Sequence, residues 1–397
     1  MKPLRIAHLA DTHLGHRQYP KPDPVTGRNQ RAVDVELAFE RAIDDILARE
    51  PDLVIHAGDV FDHVRPSWTT LRVFVRAMRK IELAGIPCLV IAGNHDTPRL
   101  RTSGSVYSLL EMVLPGIRFA AGYDMPAPWR PEGLDVALHP APHGALTNPD
   151  PPLPLLLPGL RNVLVFHGLA PQAQSAVGHE PGEESLTPEM LDSEADYIAL
   201  GHYHIPGEQT RNAWYAGSTE RFGFRDERVD PGYNLVTLGD PGAAPRVERI
   251  SLPGRPMHTL KPVDGEGLEA RQIANLILDR AARLDDPDAI TRVEVRGAPR
   301  PVRREAERLV RAELADRVWL LDIRAPVTYA GLDPVAGERV EHLPPLPDLF
   351  AQFIADRTER GDYDPAFADA FRERGGRALA EAIRTAEERL AIEEAAG

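Results

Sequence analysis

Residues 4–13, LRIAHLADTH, hold the pattern on which the fold turns: a strand-sized apolar run, an aspartate at its end, and a histidine two positions on. An apolar run that ends in polar residues recurs in LVIHAGDVFD (53–62) and in IPCLVIAGNHD (86–96). Between the first two runs, Val33, Leu37, Ala38, Ile43, Ile46 and Leu47 fall at helical spacing within 33–48, and 67–84 reads as a second helix. Short apolar strands alternating with helices predict an α/β fold, in the wider sense α+β, with helices on the faces of a sheet. The polar residues stand where each strand ends, and ligand sites of such sheets gather outside those carboxyl ends.

The same reading extends along the chain. Asn162–Phe166 runs into His167-Gly168, and Tyr197–Leu200 runs into Gly201-His202-Tyr203-His204; 213–222 and 232–238 read as strands that close the domain. Near residue 255 the character changes. Strands are expected at 257–263, 290–296 and 317–324, with helices at 268–284 and 301–315, which makes a small β-α-β-α-β unit. Residues 325–347 hold five prolines and two glycines and read as a linker. Beyond it Leu346, Leu349, Phe350, Phe353 and Ile354 share one helix face, and a last Ala/Glu/Arg-rich helix is expected over 365–394. The expected organisation is a main domain over 1–255, a cap over 256–326, a linker over 327–346 and C-terminal helices over 347–397.

At 397 residues, 43% of them hydrophobic and 27% charged, the chain can build real cores and is not a disordered protein. Its net charge of −14 argues against attachment to nucleic acid by overall charge, though a local basic rim or bound cations could still serve. The single cysteine, Cys88, excludes a disulfide framework and a cysteine-ligated metal, and its apolar surroundings predict a core position. No apolar stretch approaches the ~20 residues that span a membrane, and no secretory pattern opens the chain, so a soluble cytoplasmic protein is expected.

The chemistry is concentrated at the strand ends. Asp11-x-His13, Gly58-Asp59-x-x-Asp62, Gly93-Asn94-His95-Asp96, His167 and Gly201-His202-x-His204 offer nitrogen and oxygen donors without sulfur. Two divalent ions about 3.5–4 Å apart need such a set, with one carboxylate between them. Alternate residues of an extended segment point the same way, so Asp11 and His13 can reach one ion. The same period applies to His202 and His204, unless a turn sends them to different ions. The glycines beside Asp59, Asn94, His167 and His202 are expected to let the backbone bend and a phosphate approach.

This motif set resembles that of the calcineurin-like metallophosphoesterases: D-x-H, G-D-x-x-D, G-N-H-[DE], a lone H, and G-H-x-H. Within that superfamily DTHLGHRQ, GDVFDHVRPS, YAGSTERFGF and the cap-like unit look like the SbcD-type DNA double-strand-break repair nucleases. The resemblance implies a two-sheet sandwich flanked by helices, followed by the cap and C-terminal helices. It also implies that Asp11, His13 and His204 hold one ion, that Asn94, His167 and His202 hold the other, and that Asp59 bridges. Mn²⁺ is the family's expected metal, although Zn, Fe or Co would suit the same donors. The implied reaction is phosphodiester hydrolysis by metal-activated water, in line with the leaving sugar oxygen. His95 is the candidate general acid or transition-state stabiliser, with Asp62 the candidate to orient it. Archaeal relatives carry a histidine where this chain has Asp62, so a catalytic histidine cannot be carried over there, and His63 is not taken as its substitute.

The loop after the first strand brings Arg17, Tyr19, Lys21, Arg28 and Arg31 towards the site, and Arg65, Arg99 and Arg101 follow later motifs. Basic and aromatic residues beside a phosphoesterase site are what backbone contacts to DNA require. No G-x-x-x-x-G-K-[S/T] occurs, so ATP hydrolysis is not expected of the chain itself. The resembled family works with a separate SMC-like ATPase, SbcC in bacteria, and the apolar face at 346–354 suits its docking; packing on the chain's own cap is the alternative. Val106–Leu114 is expected either in a homodimer interface, as in the family, or in an ordinary core helix. Two other functions stay open: a phosphodiesterase of small or cyclic nucleotides, and a binding subunit without turnover.

Overall fold

β1 (Leu4–Leu9), β2 (Leu53–His56) and β3 (Cys88–Ile91) lie side by side and parallel, in the order of the three apolar runs. β4 (Ile117–Ala120) continues the sheet beyond β3, and β10 (Gly232–Leu238) and β11 (Arg246–Ser251) complete it as antiparallel strands beyond β1. The computed structural model describes residues 1–148, 151–171, 173, 184–282, 284, 286–314, 317–325, 346–359 and 363–377. A second sheet runs β5 (Val136–Ala141), β6 (Arg161–His167), β7 (Tyr197–Gly201), β9 (Ala213–Tyr215) and β8 (Gly207–Thr210). The apolar runs are continuous because both faces of each sheet are covered. Leu53, Ile55, Leu89 and Ile91 meet Leu138, Val163, Val165 and Ala199 between the sheets. Their neighbours Val54, Cys88 and Val90 point to the other side, against helices. The outer face of the second sheet packs Leu164, Phe166, Ile198 and Leu200 against Leu186, Met190 and Leu191.

Two helices cover the first sheet. α1 (Gln30–Ala48) starts three residues before the apolar pattern does, because the Asn29 side chain accepts from Ala32 N and caps it. Val35, Ala38, Phe39, Ala42, Ile43 and Ile46 are its buried face, while Leu37, expected inside, is 49% exposed. α2 (Trp68–Leu83), capped by Ser67, buries Val73, Phe74, Ala77, Met78 and Ile81. Cys88 is fully buried, and burial raises its thiol pKa well above the usual range. β4, β5, β8 and β11 lack the strong apolar signature of the other strands. The expected strand over 213–222 stops at Tyr215: Gly217, at φ +65°, turns the chain, and the remainder becomes a loop that returns to the site.

The cap has its own core of Val263, Ile273, Ile277, Val293, Val295, Val310 and Leu321. The strand expected at 257–263 is broken into β12 (Met257–Thr259) and β13 (Val263–Asp264), both parallel to β14 (Asp286–Arg296). Pro262, which has no N–H for the ladder, lies in the break. β15 (Val318–Arg324) pairs with the other edge of β14, and α4 (Ala270–Ala281) and α5 (Arg300–Leu314) are the helices between the strands. Contacts group residues 1–326 as one unit and 327–397 as another.

In the second unit α6 (Leu346–Glu359) forms where the apolar face is expected, and 365–377 is helical. Ile354 is fully buried, and the Phe350 ring meets Phe371 edge-on with centroids 5.6 Å apart. Phe350 is therefore covered by the following helix of the same unit, an arrangement the sequence reading did not weigh. Phe353 stays 44% exposed. The side chains of Leu346 and Leu349, residues 327–345 of the linker expected over 327–346, and the end of the last helix lie outside the described residues. Among the described residues no helix is long and apolar enough to cross a membrane.

Candidate metal centre

The loops that follow β1 and β2 are hydrogen-bonded to each other. Asp11 N donates to Gly58 O (3.0 Å), Thr12 N and His13 N to Asp59 O (3.0 Å each), and Leu14 N to Val60 O (2.8 Å). This pairing holds Asp11, His13 and Asp59 in the left-handed region, at φ +51°, +40° and +52°, with His202 at +99°. Each such backbone costs about 1–3 kcal/mol and persists only where its surroundings over-determine it. Asp11 and His13 therefore do not converge through an extended segment, as the D-x-H spacing suggests; a strained turn brings them together.

The glycines serve the same packing. A Cβ on Gly93 would stand 2.2 Å from Asp59 Oδ1, and one on Gly58 2.3 Å from His167 Nδ1. Glycine at these two positions is what lets the ligand loops abut. Asp96, the last residue of Gly93-Asn94-His95-Asp96, accepts from Val60 N, Phe61 N, Gly93 N and the Tyr107 hydroxyl, which locks two loops from beneath. Burial and the charge of Asp59 push its carboxyl up to about 6.

Three overlapping groups result, each with candidate ligand atoms within 4.8 Å of one another: Asp11, His13 and His204; Asp59, His167 and His202; and His13, Asp59 and His95. Asp59 Oδ2 stands 3.5 Å from His13 Nε2 and 3.3 Å from His167 Nε2, between the first two groups. Asn94 Oδ1 is 3.0 Å from His167 Nε2 and 3.1 Å from His202 Nδ1. The turn at His202 thus sends it and His204 to different groups.

The far nitrogens decide what each ring offers. His167 Nδ1 donates to Ala57 O (2.8 Å), leaving Nε2 for the site. His204 Nδ1 faces Asp226 at 3.3 Å, and His13 Nδ1 faces Asp62 at 3.6 Å. His13 Nε2 and His204 Nε2 then approach to 3.2 Å, two lone-pair positions that need a proton or a cation between them. Against the penalty of burial, Asp59 raises His167 to about 9, and Asp226 raises His204 likewise to about 9. Burial opposes ionisation of Asp59, but the imidazoles of His167 and His13 hold its carboxyl well below the usual range. A dense, mostly buried set of hard and borderline donors, already stabilising positive charge, fits divalent cations.

His95 sits on the open side. Its Nδ1 donates to the main-chain carbonyl of Asp62 (2.9 Å), and its own N donates to Asp59 Oδ1 (2.9 Å). The expected His95–Asp62 carboxylate pair is not formed. That carboxylate instead bonds His16 Nδ1 at 3.0 Å and faces His13 Nδ1 at 3.6 Å, so it lies towards a candidate ligand and not the candidate acid. Burial lowers the His95 pKa, yet the charges of Asp59 and Asp62 and the carbonyl bond raise it overall. Sequence reasoning gave no part to His16, Asp226 or Phe222. The Phe222 ring packs edge-on against His13, His16 and His204, with centroids 4.8, 5.1 and 5.1 Å away. These residues touch the backs of ligands, and their spacing carries no pattern; His16 within DTHLGHRQ was the nearest signal.

The site opens into a cleft of about 1840 Å³ whose walls include Arg65, Arg99 and Arg225, all exposed. Arg17 is exposed as well. The rest of the expected basic rim is engaged within the molecule. Arg31 is fully buried and paired with Asp34 at 2.8 Å, Arg28 grips Glu36, and Lys21 donates to Trp319 O of the cap (2.5 Å). Tyr19 is half-buried, and Arg101 lies over the Tyr123 ring. Lys21, Arg28, Arg31 and Arg101 thus each have partners within the molecule.

Residues 4–206 match the family of calcineurin-like phosphoesterases. The chain is 30% identical to the DNA double-strand break repair protein Mre11 of Haloferax volcanii, in an alignment covering 85% of this chain and 74% of that one. It is 28% identical to the Mre11 of Halobacterium salinarum, with 73% of each chain covered. Identity to the Mre11 of Methanosarcina mazei is also 28%, over 74% of this chain but 45% of that protein, so the chain spans under half of that relative's length. The chain belongs to the calcineurin-like phosphoesterase family and, within it, to the Mre11 proteins.

Proposed function

We propose that the protein is a divalent-metal-dependent DNA nuclease of double-strand break repair, hydrolysing phosphodiester bonds with two ions, Mn²⁺ in the first place. The observation that carries this is the convergence of Asp11, His13, Asn94, His167, His202 and His204 around Asp59, whose Oδ2 lies within 3.5 Å of His13 Nε2 and 3.3 Å of His167 Nε2. Asp11, His13 and His204 would hold one cation, Asn94, His167 and His202 the other, and Asp59 both. Cations there supply Lewis-acid activation of the phosphodiester and of water.

The protein's own part is positioning and proton supply. Ala57 O and the Asp226 carboxylate fix which nitrogen His167 and His204 present. His95, anchored through Nδ1 and with its pKa raised, has Nε2–H to donate to the phosphate or the departing sugar oxygen. Arg65 and Arg99 on the cleft wall are the proposed backbone contacts. The outward apolar residues of α2 and α3 (Tyr107–Val113) are the proposed surface for a second copy, and the C-terminal helices the proposed dock for an SMC-like ATPase.

Purified full chain with Mn²⁺ is tested on labelled duplex, single-stranded and hairpin DNA, beside bis-p-nitrophenyl phosphate and cyclic nucleotides. Metal-dependent DNA cleavage is expected, and Asp59→Asn, which removes the shared charge, should abolish it while the fold persists. Hydrolysis of cyclic nucleotides without DNA cleavage, or normal turnover by Asp59→Asn, would refute the reading.

A further inference from the structure

Residues 222–227, Phe-Gly-Phe-Arg-Asp-Glu, touch the candidate metal centre with one side and the cap with the other. On the inner side Phe222 packs against three histidines, and Asp226 Oδ2 takes both Phe222 N (2.9 Å) and His204 Nδ1 (3.3 Å). Asp226 N closes the turn on Gly223 O (2.9 Å), so the aspartate cannot move without the turn. On the outer side the Arg292 guanidinium lies 4.2 Å above the Phe224 ring. The Glu227 carboxylate accepts from Thr259 N (2.8 Å) and Thr259 Oγ1 (2.5 Å).

Thr259 and Arg292 are register partners on β12 and β14, and Arg292 Nη2 donates to Thr259 Oγ1 (3.2 Å). One rung of the cap sheet therefore grips both ends of a turn whose middle residue aims His204. We propose that Thr259 and Arg292 are positioning residues for His204, acting through Glu227, Phe224 and Asp226, so that the place of the cap is felt at the cation of Asp11, His13 and His204. This rests on the two-cation reading. The outer contacts are solvent-exposed, and each alone is weak. Together they act on a hydrogen-bonded partner of a ligand, where losses of 10–100-fold in metal affinity are typical.

The test is Mn²⁺ titration of the full chain by calorimetry, with a thermal melt of each variant. Asp226→Asn should weaken one of two ions by about 10–100-fold. Thr259→Val with Arg292→Ala should weaken that same ion by a smaller factor, about three- to tenfold, and leave the ion of Asn94, His167 and His202 unchanged. Arg292→Lys, which keeps a cation over Phe224, should restore most of the loss, and Arg271→Ala, elsewhere on the cap, should have no effect. Should the double variant fail to fold, Glu227→Gln carries the same expectation. Two ions of unchanged affinity in the double variant or in Glu227→Gln, with Asp226→Asn impaired, overturn the coupling and leave the site reading standing. A wild-type chain that binds no pair of ions overturns the site reading itself.

Discussion

His95 and Asp59 are joined by a hydrogen bond yet are assigned different work, and this difference can be measured. His95 lies within ligand range of His13 and Asp59, but its Nδ1 is spent on the Asp62 carbonyl and the residue is exposed to the cleft. His95→Ala should keep both ions by metal analysis and lose activity on the ~10²–10⁴ scale of a positioned acid; a missing ion would make it a ligand instead. The pH response of the ligands follows from charge. His167 and His204, each raised to about 9 in the metal-free protein, add stability that is complete below pH 6.5 and lost as pH rises through about 9. A cation needs the bare nitrogen, so across that window apparent Mn²⁺ affinity should climb with pH, with proton release on binding. Calorimetry in buffers of different ionisation heat, beside melts of the metal-free protein, checks both; a flat affinity would remove the imidazoles from the ligand set. The ligand candidates were legible because strand-end Asp and His at fixed spacing form a pattern. Arg31 was misread for the opposite reason: an arginine in a polar loop looks the same whether it meets a phosphate or, as here, is buried between Asp34 and Glu220. Asp62 was placed correctly near the site, but main-chain carbonyls leave no trace in a sequence, and it is the carbonyl that holds His95.

At the scale of elements, the strands that carry the site were readable because two-sided burial makes them continuously apolar. The edge strands β8 and β11 are half wet and lack that signal. The segment Val106–Leu114 was open between core and interface, and α3 buries one side and leaves large apolar side chains exposed on the other. Tyr107, Leu110 and Leu114 are buried, whereas Leu109 and Met112 are 45% and 79% exposed, beside Trp68 of α2 at 82%. Trp68 and Leu109 line the same cleft, and large apolar side chains left exposed mark an interaction surface more than a solvated one. Leu109→Asp with Met112→Asp should convert a dimer to a monomer in analytical ultracentrifugation without lowering the melting temperature, since neither side chain supports the core. A wild-type monomer, or a variant that stays dimeric, would remove this face as the interface.

On the scale of the whole molecule, every candidate ligand lies before residue 205, and contacts separate 1–326 from 327–397. A chain ending at about residue 340 should therefore keep metal-dependent cleavage of short DNA, and lose association with an SMC-like ATPase and with it ATP-dependent processing of long or blocked ends. The apolar helix face after the linker was legible from its period, but what covers it was not, because period fixes a face and says nothing of its partner. The structure divides that face. Phe350 meets Phe371 and Ile354 is buried, so their polar substitution should destabilise the C-terminal unit itself. Phe353 is 44% exposed, and in the following helix Phe367 and Phe371 are exposed by 52% and 38%. An amphipathic helix that keeps aromatic rings in water has area left to bury on a partner. Phe353→Ser is thus the discriminating variant: with the melting temperature of the full chain unchanged, co-purification with the ATPase should fail. Retained association at an unchanged melt would show that the partner is held elsewhere, and a lowered melt with intact association would assign Phe353 to the unit's own packing.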